Sequence, residues 1–280
     1  MIVRFWGTRG SIPAPGPSTL HFGGNTSCVE VRCGDLLLVL DGGTGIRPLG
    51  ESLWRQGVRN GILLFTHVHW DHIQGFPFFL PAYDRKASFE ILGGEEVLES
   101  LEATLGRQMR PPNFPVRLKD MGAEIKFRAI REGEHLVRGG VDIQVIRLVH
   151  PDPTYGYRIR HEGATLVYAT DMEHPAQGVD GRLAEFSRRA DLLIYDAQYT
   201  VDEYLGISNG RSRKGWGHST AQDAARLALE SEVGQLALFH YDPSHDDELI
   251  RGIEREARAI FPNTFAAYEG LELHLGRDKA

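Results

Sequence analysis

Cysteine is nearly absent, with two among 280 residues. Cys28 and Cys33 stand five apart in SCVEVRC, which alternates like one strand, so their side chains should face opposite ways roughly 16 Å apart. That spacing excludes a disulfide between them and suits a reducing compartment. No apolar run reaches the length of a membrane span. The opening MIVRFWGTRGS is broken by Arg4 and then by glycines, without the h-region of a signal peptide. A first strand of a cytoplasmic protein, without membrane contact, is therefore expected. Positive charge is not in surplus either: 31 basic against 38 acidic residues leave a net charge of −7. No global field draws a long nucleic acid as the principal partner, although a local patch could still hold a small anion. Solenoid repeats and low-complexity linkers are missing as well. One domain spanning 1–280 is expected, large enough to bury a substantial core.

What is present is a series of short apolar runs bounded by Gly, Pro or Asp, which reads as strands. They are IVRFW, SCVEVRC turning at Gly34-Asp35 into LLLVL, ILLFT, SFEILG, EIKFRAI, VDIQVIRLV, YGYRIRH, TLVYAT, DLLIYD, QLALFH and LELHL. Helical periodicity appears in EEVLESLEATLGRQM, GRLAEFSRRA, TAQDAARLALES and DELIRGIEREARAIF. The strands are expected largely as antiparallel hairpins in both halves. The irregular segments 11–25, 107–117 and 208–217 are long enough for functional loops.

Behind ILLF stands FTHVHWDH, with three histidines and an aspartate within six residues. Three later strands end in a residue of the same kind: His150 after VDIQVIRLV, Asp171 after TLVYAT, and His240 after QLALF. Ends of neighbouring strands share one rim of a sheet, so these residues can converge on the first cluster. In an extended segment His67 and His69 leave on one side, while Asp71 and His72 point elsewhere. A dinuclear metal site requires that split, with a carboxylate between the two ions. Imidazole with carboxylate suits Zn²⁺, with Mn²⁺ or Fe as alternatives, and the lack of a cysteine ligand argues against a closed structural zinc site.

With these residues in view, THVHWDH resembles the HxHxDH signature of the metallo-β-lactamase-fold hydrolases. His150, Asp171 and His240 match the later ligands of that family in order. The likeness runs from RFWGTRGSIPAPG and LLLVLDGGTGIRPLG to AAYEGLELHL, and is greatest to the phosphodiesterase branch around ribonuclease Z and its small cyclic-phosphate relatives. The resemblance implies an α/β fold, a four-layer αβ/βα sandwich with two metals at one edge. His67, His69 and His150 would hold the first ion, Asp71, His72 and His240 the second, and Asp171 would bridge them. Asp41, ending LLLVLD, matches the aspartate that supports the histidine-rich loop from behind the ligands. Diiron relatives usually carry Glu in place of His69, so hydrolysis is expected rather than redox chemistry.

His218, in WGHST, precedes the helix TAQDAARLALES with Ser219 or Thr220 as its cap, a place suited to an anion. The resemblance makes His218 the group that assists at the scissile phosphate. Asp196 stands where its carboxylate partner is expected, although related enzymes often have Glu. The expected reaction is attack by a metal-bound hydroxide, oriented by Asp71, on a small or cyclic phosphodiester while His218 protonates the leaving oxygen. The basic stretch Arg211-Ser212-Arg213-Lys214 lies just upstream, which makes Arg213 and Lys214 candidates for phosphate attraction. The segment Phe76 to Tyr83 reads as core and wall rather than a base-stacking platform. RNA is a second candidate substrate, through tRNA 3′-end cleavage of the ribonuclease Z type, but no long Gly-rich or basic insertion offers a tRNA grip. A carbonyl electrophile (ester, thioester or lactam) is a third, and self-association into a homo-oligomer is left open.

Overall fold

The computed structural model describes residues 1–207 and 210–276, without the side chains of 98–100. Ser208 and Asn209, which begin the loop singled out at 208–217, lie outside the described residues. Every apolar run named above forms a strand. The first half contributes β1 (Ile2–Gly7), β2 (Cys28–Cys33), β3 (Leu36–Leu40), β4 (Asn60–Phe65), β5 (Ser88–Gly94) and β6 (Glu124–Ile130). The second contributes β7 (His135–Arg138), β8 (Val141–Arg147), β9 (Tyr155–His161), β10 (Ala164–Ala169), β11 (Leu192–Asp196), β12 (Gln235–Phe239) and β13 (Thr264–Ala266), before β14 (Glu272–His274) returns to the first sheet. Two seven-stranded sheets result, ordered β14-β1-β2-β3-β4-β5-β6 and β13-β12-β11-β10-β9-β8-β7.

The expectation of mainly antiparallel hairpins is corrected by the ladders. From β3 to β6 and from β10 to β13 every neighbour pair is parallel. Parallel neighbours need a crossover, and helices supply most of them. These are α1 (Ile46–Gln56) and α3 (Glu95–Gln108) over the first sheet, and α4 (Gly181–Ser187), α6 (Ala221–Glu230) and α7 (Asp247–Arg258) over the second, with short α2 (Trp70–Ile73) and α5 (Val201–Leu205) in the loops.

Burial explains the layers. Along β3, Leu38 and Leu40 face the other sheet, meeting a core that includes Tyr157, Leu166 and Phe239, while Leu37 and Val39 face outward to Leu49 and Leu53 of α1. A strand covered on both faces reads as an unbroken apolar run, hence LLLVL. The second sheet repeats this, with Leu193 and Leu236 outward against Ile250 and Ile253 of α7. The order is helix, sheet, sheet, helix, as the fold expectation requires. Cys28 and Cys33 are free, and they lie in different cores on opposite faces of β2.

A partly buried His–Glu contact secures the loop that follows β12. Thr200 and Glu203 form a capping box at α5, and His245 Nε2 lies 3.0 Å from Glu203 Oε2. Burial opposes ionisation of Glu203, but the His245 contact and the Thr200 donors outweigh it and bring its pKa down to about 2. A depressed carboxylate stabilises the fold above its unfolded pKa and loses that contribution as pH falls. Glu203→Gln should therefore cost about 1–2 kcal/mol near neutrality. Urea titrations should show the gap to wild type closing between the ordinary glutamate range and pH 2; a gap that persists to pH 2 contradicts the assignment.

Candidate metal centre

Five strand ends on one edge supply the site: Asp41 after β3, the histidine-rich loop after β4, Asp171 after β10, Asp196 at the end of β11 and His240 after β12. Asp41, Asp171 and His240 all have positive φ, at 60°, 56° and 64°. That region costs an ordinary residue on the order of 1 kcal/mol. Three such turns side by side, each throwing a polar side chain inward, identify the edge as one built for a ligand.

Asp71 Oδ2, His72 Nε2, Asp171 Oδ2 and His240 Nε2 converge there. His72 Nε2 lies 3.3 Å from Asp71, 3.2 Å from Asp171 and 3.2 Å from His240 Nε2. His240 Nε2 lies 3.1 Å from Asp71 and 3.3 Å from Asp171. Four donors bonded at roughly 2.0–2.1 Å to one tetrahedral zinc stand about 3.3 Å apart. The five edges match that tetrahedron, the two imidazole nitrogens lying 3.2 Å apart.

A second group joins His67, His69, His150 and the same Asp171. His67 Nε2 and His150 Nε2 are buried without a hydrogen-bond partner. Asp171 Oδ1 is 3.7 Å from His67 Nε2, so each oxygen of this carboxylate faces a different group. The two buried His/Asp clusters thus fit a dinuclear metal site. Burial pushes His67 and His150 below the ordinary histidine range, toward the neutral imidazole that can bond a metal. Burial acts the same way on His72, but Asp171, Asp71 and Asp41 outweigh it and push its pKa well up, the mark of negative charge gathered around one point.

Supporting contacts fix the donors. Asp41 accepts from the Thr66 amide at 2.8 Å, from Tyr168 Oη at 2.8 Å and from His72 Nδ1 at 2.9 Å, leaving His72 Nε2 to face the cluster. The Ser11 amide donates to Asp71 Oδ2 at 2.7 Å. The chain must pass tightly here: a Cβ on Gly10 would come within 2.5 Å of the His240 ring. Sequence reasoning did not find the main-chain donor of Ser11, nor Asp152, whose carboxylate lies 2.9 Å from His69 Nε2. The PDP context of Asp152, beside His150, is the one signal that could have marked it.

His218 Nδ1 stands 2.9 Å from Asp196 Oδ2, so the shorter aspartate reaches the imidazole. The His218 ring lies parallel to that of His240 at 5.1 Å and meets those of His150 and Tyr199 edge-on. Burial would lower its pKa, but Asp196 dominates and raises it to about 9. Arg213 pairs with Asp242 and lies over the Tyr199 ring, 4.9 Å from its centre. Lys214 instead lines a separate cavity of about 550 Å³ with His174, Tyr204, Asp223 and Arg226. In the stretch after the histidine-rich loop, Phe76, Phe79 and Ala82 are buried, whereas Phe78 is exposed.

Two facing sheets with outer helices, and a buried His/Asp edge shaped for two ions, define a metal-dependent hydrolase. The chain belongs to the family described as the beta-lactamase superfamily domain, whose profile matches residues 40–241. It is similar over nearly its whole length to ribonuclease Z of Metallosphaera sedula, with 28% identity covering 95% of this chain and 96% of that protein. Among solved structures, a diphosphatase of the PhnP family superposes with a TM-score of 0.70 at 19% identity, covering 98% and 97% of the two chains. Zn²⁺-bound PqqB from Methylobacterium extorquens gives 0.73 at 18%, covering 98% and 100%. No helix among the described residues is long and apolar enough to cross a membrane.

Proposed function

We propose that the protein is a two-metal phosphodiesterase acting on a small or cyclic phosphodiester. The observation that carries this reading is the Asp196–His218 pair, 2.9 Å apart, with the His218 ring stacked on that of His240. His67, His69 and His150 would hold one ion, Asp71, His72 and His240 the other, with Asp171 shared. The N/O donor set suits Zn²⁺. Bound there, the ions would supply Lewis acidity toward the phosphoryl oxygens and an acidified water.

The residues account for the proton movements. Water gives up one proton to solvent as its oxygen bonds to phosphorus, and Asp71, held by the Ser11 amide, accepts a hydrogen bond from it and orients it. His218 keeps one N–H on Asp196 and offers the other to the leaving oxygen. As the P–O bond breaks, that proton passes to the departing alcohol, and solvent restores it afterward. The products are a monoester and an alcohol, or one ring-opened monoester from a cyclic substrate. The names of the relatives, a ribonuclease and a diphosphatase, support a phosphorus electrophile. The length of the ribonuclease Z match also favours a second reading, cleavage at a tRNA 3′ end.

Zinc- or manganese-loaded protein is expected to hydrolyse bis(p-nitrophenyl) phosphate and a cyclic nucleotide, while leaving thioesters and lactams intact. Failure on every diester, with turnover of a carbonyl substrate, contradicts the proposal. Cleavage of precursor tRNA with a steep inverse salt dependence, without turnover of small diesters, favours the second reading.

A further inference from the structure

Glu173 lies two residues beyond Asp171 and shows none of the features of a metal ligand, yet its carboxylate is fully engaged. Oε1 accepts from Tyr204 Oη at 2.7 Å and from the Gly215 amide at 2.7 Å, and Oε2 accepts from the Gly217 amide at 3.0 Å. Its own amide donates to Val149 O at 2.8 Å, next to His150. One side chain therefore ties the end of β10, helix α5 and the segment 215–217 together. Gly215 and Gly217 have φ of 81° and 86°, the conformation that turns their amides toward a single anion. A Cβ on Gly217 would also lie 2.1 Å from the His150 ring, so this segment has little freedom to sit elsewhere.

The segment leads directly into His218. Beyond that histidine, Ser219 Oγ donates to Met172 O at 2.7 Å and the Ser219 amide to Asp196 at 2.9 Å. His218 is thus held from behind by Ser219 and from in front by Gly217, and the front anchor is Glu173. On the near side the same segment carries Trp216, which is exposed, and Arg213, whose amide donates to Tyr204 O at 3.0 Å.

We infer that Glu173 is a positioning residue, which sets the aim of His218 toward the leaving group through the amides of Gly215 and Gly217. This rests on the phosphodiesterase reading. Glutamine keeps the shape of Glu173 but has one acceptor oxygen where two are used, and its amide nitrogen would confront an N–H. A shift of about an ångström in a proton donor costs on the order of 100-fold, and the loss is felt only where the leaving group needs the proton.

The test compares metal-loaded wild type, E173Q, Y204F and H218A on a diester with an alkoxide leaving group and on bis(p-nitrophenyl) phosphate. In E173Q, kcat on the alkoxide substrate should fall roughly 10- to 100-fold, against a few-fold on the p-nitrophenyl ester, with metal content preserved. Y204F, which removes one of three donors, should show the same selectivity on a smaller scale. Adding E173Q to H218A should cost little more, since both act on one proton transfer. Equal losses on both substrates, no loss on either, or additivity with H218A overturns the inference. A second readout is independent of turnover: the His218 Nδ1–H resonance of zinc-loaded protein should be sheltered from exchange in wild type and exchange faster in E173Q. Unchanged protection overturns the inference even where turnover falls. Absence of diester turnover in wild type counts against the phosphodiesterase reading instead, and leaves the resonance to decide the positioning claim.

Discussion

Asp171→Ala protein is expected to bind fewer than two equivalents of zinc and to lose about a thousandfold or more in phosphodiester turnover. Asp171 alone faces both groups of donors, with Oδ1 3.7 Å from His67 Nε2 and Oδ2 3.2 Å from His72 Nε2. Removing it leaves three imidazoles without a carboxylate on one side and takes one corner from the tetrahedron on the other. Charge stabilisation by such a site is worth several kcal/mol in the transition state, and each 1.36 kcal/mol is about tenfold in rate. The metal-free variant should also be less stable than metal-free wild type near neutrality, because burial opposes ionisation of Asp171 but His240, His72 and His67 outweigh it and hold its carboxylate well below the ordinary range. Zinc should raise the melting temperature of wild type more than that of the variant, as binding to the folded state alone requires. Metal analysis and a melting curve check both statements. Two tightly held ions in Asp171→Ala would contradict the assignment.

The second large effect belongs to His218. In His218→Ala, turnover of a diester with an alkoxide leaving group should fall by about 10²- to 10⁴-fold, the range for loss of a general acid. For a p-nitrophenyl ester, whose leaving group departs without a proton, the loss should be a few-fold. Asp196→Asn is expected to show the same selectivity, since it retains an oxygen for the Ser219 and Gln198 amides but takes the charge from beside the imidazole. The double variant should resemble His218→Ala alone, as groups acting as a unit are not additive. Steady-state kinetics over a series of leaving groups measures this directly. Parallel losses for all leaving groups would reduce His218 to a packing role.

How far the sequence revealed this arrangement depends on the range of the interaction. The convergence of His67, His69, Asp71, His72, His150, Asp171 and His240 was legible because they follow apolar runs, and a sheet edge gathers the ends of such runs. Helices α3, α4, α6 and α7 were legible for a similar local reason, their periodicity. Helix α1, which carries Pro48 and Gly50, was not among the helices expected. Proline is tolerated in a first turn, and Gly50 packs where a Cβ would lie 3.0 Å from the Leu80 amide, a contact visible only in three dimensions. Strands β7 and β13, with four and three residues, are too short for alternation to stand out. The parallel pairing of β3–β6 and β10–β13 departs from the hairpins expected in both halves, since the crossovers between these strands set their direction.

Within the site, the contacts behind the donors were the hidden part. Ser11 acts through its amide, which any residue would supply, and what sequence recorded was only the glycine beside it. Asp152 and Glu173 look like ordinary acidic residues until loops from elsewhere close on them. Arg213 was singled out for its charge, and the structure engages that charge with Asp242 and lays the guanidinium over Tyr199.

Anomalous diffraction from zinc-soaked crystals would locate the ions. Two peaks are expected, one against His67, His69 and His150 and the other against Asp71, His72 and His240, with Asp171 touching both. A single peak, or a pair that leaves Asp171 uncoordinated, would contradict this placement.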